Sequence, residues 1–159
     1  MGIKANFDID KIFRGIEENL RPLIFQAVTE AFDLACLEVV TQAKSLNTYQ
    51  DQTNLLRSSI GYQIYSNGEL IKDNFEAAGT GDGTGANQGI QRGKAMAKQA
   101  SLNYPDDIVG VIVAGADYAI YVESKGFDVL SGPASQLQRI ATKYLTEAAA
   151  GFKEGGTNG

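Results

Sequence analysis

Histidine and tryptophan are absent from this chain, and cysteine occurs once, as Cys36. Without histidine the chain lacks the commonest general base near neutral pH and the commonest metal ligand. One cysteine excludes an internal disulfide, and a lone thiol nucleophile needs a base, commonly histidine. Within a helical pattern, Cys36 reads as a small buried apolar residue. No apolar run approaches the roughly 18–20 residues needed to cross a bilayer. Met1–Phe13 alternates charged and apolar residues, unlike the apolar stretch of a signal peptide. The chain is therefore expected to stay in a cytoplasm, without a membrane partner.

What is present is ordinary for a globular protein. The 159 residues, 43% hydrophobic and 21% charged, suit one domain with a real core. The net charge of −5 disfavours nonspecific attraction to nucleic acid, and so a DNA-binding accessory role. A single domain is expected over residues 1–150, with a flexible tail over 151–159.

Periodicity predicts an α+β fold. A first helix is expected over about Ile9–Leu20, capped by Asp8, with Ile9, Ile12, Phe13, Ile16 and Leu20 on one stripe. Pro22 marks a break, or the first turn of a second helix running to about Ser45. Leu23, Ile24, Ala27, Val28, Ala31, Phe32 and Ala35 give that helix a wide apolar face. Ile60, Tyr62 and Ile64 alternate with polar or small residues, as in a strand. Asn67-Gly68 favours a tight hairpin turn into a returning strand over about Glu69–Phe75. A glycine-rich mobile loop and a short helix over about Gln88–Leu102 follow. Ile108–Ala114, apolar on both faces, is expected to be a central buried strand. The last helix is expected from near Ser131, with Pro133 in its first turn and Gly151 as its stop.

Signals for chemistry are few. Gly79–Gly89 invites a phosphate-binding reading, and hence a small nucleotide-binding enzyme. A dinucleotide fingerprint needs a buried strand before it, and Asp73–Ala78 is a poor one. Lys94 falls one residue short of phosphate-loop spacing, and Ala95 replaces the magnesium-binding Ser or Thr. No cofactor is expected. Arg92, Lys94 and Lys98 form a basic cluster best read as a solvated helix face. Asp82, Asp106 and Asp107 lack the spacing of a cation site.

Two short segments stand out together, Asp51–Ile60 (DQTNLLRSSI) and Asp117–Gly126 (DYAIYVESKG). They resemble the two signatures of the gene-product-ten-like neck or tail-completion proteins of tailed phages. That family has a D-T-G-x-L-R-x-S-I loop after a long helix, and later a Y-A-x-Y-V-E-x-G-T motif. The match falls on Asp51, Thr53, Leu56, Arg57, Ser59 and Ile60, and on Tyr118, Ala119, Tyr121, Val122 and Glu123. Asn54 stands where glycine is usual, and asparagine tolerates positive φ. The second motif ends differently, as Ser124-Lys125-Gly126-Phe127. Residues 75–104 look like an insertion.

The resemblance implies a non-enzymatic virion protein, a neck subunit in a ring of about six or twelve copies between head-closure and tail-terminator or tail-tube proteins. DNA would be only cargo in the channel. A tail-terminator or minor tail protein is the nearest alternative. Locally, Thr53 can cap a helical turn and Asp51 can close one on its own backbone. Tyr118 and Tyr121 suit an interface or the domain's own core. Arg57 and Glu123, one in each motif, are expected to pair.

Overall fold

Strand β1, Ile60–Ser66, is buried at every position, although its sequence alternates like a half-exposed strand. The reason is a layer on each face. Tyr62 and Ile64 face helix α1 (Ile9–Ser45), where they form a core with Cys36, Val40 and Ala43. On the other face, Gly61 lies under Phe75, and helix α3 (Ala86–Ser101) crosses the sheet. The computed structural model describes residues 9–117, 119–126 and 128–157. The side chains of residues 9–13, 16, 17, 120–122 and 152–157 lie outside that description.

The sheet order is β2-β1-β3, all antiparallel, with β2 at Glu69–Asn74 and β3 at Ile108–Ala114. The turn between β1 and β2 places Asn67 at φ 50° and Gly68 at φ 79°, the paired positive values of the expected tight hairpin. One position is corrected: Ile108–Ala114 is an edge strand, mostly half-buried, and β1 takes the centre. Apolar residues on both faces of β3 reflect the helices above and below it. They say nothing of whether a strand lies on each side.

The expected two N-terminal helices are one. α1 runs 37 residues with Pro22 inside it. An interior proline frees the carbonyl four residues back, at Glu18, and adds a ring clash. Here the surrounding residues Glu18–Ile24 are exposed, so water can reach that carbonyl. The apolar face beyond the proline is only partly covered. Ala31 and Ala35 are buried, while Leu23 and Ile24 are half exposed.

Helix α2, Leu55–Ser58, precedes β1, and α4, Ala119–Ser124, follows β3. The last helix is divided into α5, Ser131–Ser135, and α6, Leu137–Thr157. α6 packs along α1, where Ile140 meets Ala35 and Val39. Gly151 does not stop it: the backbone is helical to Thr157, where an irregular tail was expected. Helical hydrogen bonds continue through a glycine when the flanking residues are good formers, as Ala148–Ala150 are.

Among the described residues, no helix is long and apolar enough to cross a membrane.

Candidate functional site

The segment Asp51–Ile60 begins with a backbone reversal. Asn54 sits at φ 63°, in the left-handed region where the related pattern has glycine. Its short amide tolerates that conformation and is put to use: Asn54 Oδ1 accepts a hydrogen bond from Gly81 N at 2.6 Å. One helical turn, α2, follows. Its start is held by Asp51 Oδ2, which accepts from Arg57 N at 2.6 Å. Thr53 Oγ1 is only 3.4 Å from Leu55 N, so the carboxylate rather than the expected hydroxyl is the principal acceptor. Leu56 and Ile60 are core residues.

Arg57 points back toward the end of α1. Its guanidinium donates to the carbonyls of Lys44, Leu46 (2.6 Å) and Tyr49 (3.4 Å), and lies 4.7 Å from the centre of the Tyr49 ring. The last carbonyls of a helix have no helical partner. A forked, always-charged donor satisfies several at once. Arg57 thus ties the C-terminus of the long helix to the first motif.

Ser59 joins the two motif regions. Fully buried, it donates from Oγ to Leu56 O at 2.7 Å and accepts from Ala116 N at 3.0 Å. Its carbonyl accepts from Gly115 N at 3.0 Å. The segment 115–117, leading into the second motif, therefore lies against the end of the first. Ala119 is buried there. Tyr118 lies outside the described residues, as do the side chains of Tyr121 and Val122.

Glu123 does not pair with Arg57. Its Oε1 accepts from the backbone N–H groups of Val129, Leu130 (2.9 Å) and Ser131 (2.9 Å), and Oε2 accepts from Ser131 Oγ at 2.8 Å. It caps the start of α5. Burial pushes its carboxyl up, but these four donors together outweigh burial and hold it below the ordinary glutamate value. Opposite charge suggested a pair, yet each group is satisfied by backbone dipoles nearer in the chain.

The glycine loop is not a free loop. Gly81 N is bound by Asn54, Asp82 N by Gln52 O (2.8 Å) and Gly85 N by Thr53 O (2.8 Å). Ala78 N and Ala78 O both bond Ser58 Oγ. Asp82 closes its own turn through Thr84, which holds its carboxyl below the usual range. Ala78, Gly81, Asp82 and Gly85 are thus tied by hydrogen bonds to residues 52–58, in place of the mobile loop expected. α3 buries Ala86, Gly89, Gly93, Ala97 and Ser101. A Cβ on Gly89 would collide with Leu55 O, and one on Gly93 would lie 2.6 Å from Ser59 O. Small residues four apart let α3 sit on the motif backbone. That stripe was legible in the sequence, but it is small rather than apolar and so reads as a thin face.

The basic cluster is divided among partners. Arg92 pairs with Asp117 at 2.6 Å and Lys94 with Asp73 at 2.6 Å. Cys36 is buried, and burial, with Asp33 second, pushes its thiol up to about 12, far from a reactive thiolate. Among the described residues no group of three metal-ligating side chains occurs. A polar cleft of about 410 Å³ opens beside the first motif, lined by Tyr49, Asp51, Arg57, Thr80 and Gly81. Within it Asp51 Oδ1 is buried with no hydrogen-bond partner among the described residues.

No family model, curated protein or solved structure matches this chain.

Proposed function

We propose that this protein is a structural, non-enzymatic virion component of a tailed phage, a neck subunit that repeats in a ring where head meets tail. The observation that carries the reading is the convergence of the two resembling segments. Separated by more than fifty residues in the chain, they approach each other at one end of the sheet, where Ser59 Oγ accepts from the N–H of Ala116, the residue just before the second segment. In a structural subunit such a seam sets the shape of one surface. In an enzyme it would have to present a reactive group. Here three of its polar side chains are spent on backbone: Arg57 on three carbonyls, Glu123 on three amides, Ser59 on both sides of the seam.

The rival nucleotide-binding reading needs free loop amides to cradle phosphate. Those of Gly81, Asp82 and Gly85 are already bound. Its test is a calorimetric titration with ATP, GTP and NAD, expected to be flat. A saturable signal lost on changing Gly81 and Gly83 would favour the enzyme.

A tail is rotationally symmetric, so one subunit type in the neck must close head to tail around its axis. The expected neighbours are further copies of the chain and the head-closure and tail-terminator or tail-tube proteins. A tail-terminator role is the nearest alternative. Imaging purified particles tests the proposal. Ring density at the neck that disappears when the gene is deleted, leaving unjoined heads and tails, is the expected result. Infectious, joined particles from the deletion would overturn it.

A further inference from the structure

The two edges of the three-stranded sheet are built differently. On β2 the register shifts at Ile64/Tyr65, leaving an extra residue near Ile71, and Glu69, Lys72 and Asp73 lie along the strand. A bulge and charges are ordinary guards against a further strand. β3, IVGVIVA, carries no charge, no proline and no bulge.

The ladder tells which backbone groups of β3 are open. Gly115 N bonds Ser59 O, and Asn67 N bonds Asp107 O. Hydrogen-bonded pairs in an antiparallel ladder recur every second residue, so Val109, Val111 and Val113 are the residues bonded to β1. Ile108, Gly110, Ile112 and Ala114 therefore aim their N–H and C=O groups outward. No backbone bond to these groups occurs outside the β1 ladder among the described residues.

Beside this edge is an apolar groove of about 270 Å³. Phe32 and Cys36 of α1, Val109 and Gly110 of β3, and Leu137 and Ala141 of α6 line it. α6 packs on α1 rather than on the sheet. The helical layer thus reaches past the last strand and forms a floor for one more.

We propose that this edge accepts residues 3–7 of a second copy of the chain as a fourth strand. Those residues read Ile-Lys-Ala-Asn-Phe. Their period of two puts Ile3, Ala5 and Phe7 on one face, toward the groove, and Lys4 and Asn6 on the other, toward solvent. Gly110 leaves the groove open, since a Cβ there would already touch Cys36 Sγ at 3.0 Å. The segment cannot serve its own copy. From Ile9 to Phe32 the helix rises about 34 Å, at 1.5 Å per residue. The six residues from Ile3 to Ile9 span at most about 20 Å. Donation of this kind is head to tail, the contact type that closes rings, although it stands independently of any phage role.

The test uses the full chain in solution, by sedimentation and by amide hydrogen exchange, with a synthetic peptide of residues 2–8 as a second probe. The wild type is expected to associate with rising concentration, slowing exchange at Gly110 and Ile112 at least about tenfold. The double variant Ile3→Asp/Phe7→Asp, altered outside the described fold, should stay monomeric with those amides open, and the peptide should restore their protection. A variant that associates as the wild type does would overturn the proposal. So would a monomeric wild type whose Gly110 and Ile112 amides ignore millimolar peptide. A Val111→Cys variant that crosslinks to its own equivalent would show β3 pairing with β3, and would also overturn it. Failure of the neck reading would appear only in particles and would leave all three readouts unchanged.

Discussion

Two parts of this molecule are held together by opposite means. At one end of the sheet, residues 51–59, 78–93 and 115–117 interlock through backbone contact, and glycines let carbonyl oxygens approach within van der Waals range. Along the other side, α1 and α6 meet through side chains, with Ala35, Val39 and Ile140 buried and Leu34 and Leu37 still 46% and 41% exposed. At Gly81, Gly85, Gly89 and Gly93 the first region tolerates no added volume. The second has room. A chain can therefore be stiff where its sequence is glycine-rich and looser where it is helical, because closeness of approach decides rigidity more than composition does.

That contrast is most exposed by adding a side chain at Gly89. The new atoms would meet the Leu55 carbonyl and the Ser59 amide, which are fixed backbone. Gly89→Val should cost about 3 kcal/mol or more, at the upper end of overpacking effects, and could abolish folding. Urea denaturation measures it, and a loss below about 1 kcal/mol would mean that α3 can slide. Deleting residues 79–89 should likewise unfold the domain, since it strips Asn54, Thr53 and Gln52 of their partners Gly81, Gly85 and Asp82.

Arg57 comes next. Replacing it with alanine strands the carbonyls of Lys44, Leu46 and Tyr49 and should cost about 2–4 kcal/mol. Arg57→Lys should recover less than half of that, because one ammonium cannot reproduce the fork. Full recovery by lysine would show that charge alone matters there.

A smaller effect is expected at Glu123. Its folded carboxyl is held below the ordinary value, so its contribution is present above the unfolded pKa and lost as pH falls through the folded one. Glu123→Ala should cost about 1–2 kcal/mol at pH 7, as for loss of a helix cap. The difference from wild type should shrink on acidification. An unchanged difference at pH 3 would mean that the side chain acts by packing and not as a charged acceptor.

The smallest change should have the opposite sign. A Cβ at Gly151 on α6 meets nothing within 4 Å. Gly151→Ala should stabilise by about 0.5–1 kcal/mol through helix propensity. A loss there would mean that α6 is tighter against α1 than its open surroundings imply.

Particular residues show why some of this was legible beforehand. The Asn67-Gly68 hairpin follows from local sterics that a dipeptide already carries, whereas the positive φ of Asn54 was suggested by the glycine of the resembled pattern. The strand at Ile60–Ser66 announced itself by its alternation. Arg57 and Glu123 were singled out as the important charges of the two segments, but the expected pairing was wrong. Opposite sign is not an address, and each found backbone dipoles closer at hand. The small-residue stripe of α3 was visible as Ala86, Gly89, Gly93 and Ala97, but only a neighbouring backbone gives such a stripe a purpose.

The sequence by itself determined the α+β class, through the periodicity of its successive segments, and the hairpin turn, through one dipeptide, while the left-handed Asn54 was expected only through the resemblance. Only the tertiary structure decided that β1 is central and β3 an edge, that helix continues through Pro22 and Gly151, and that the glycine loop is clamped to the first motif. Strand order, water access to a freed carbonyl and the partner of a loop amide are set by segments distant in the chain, and no local preference encodes them.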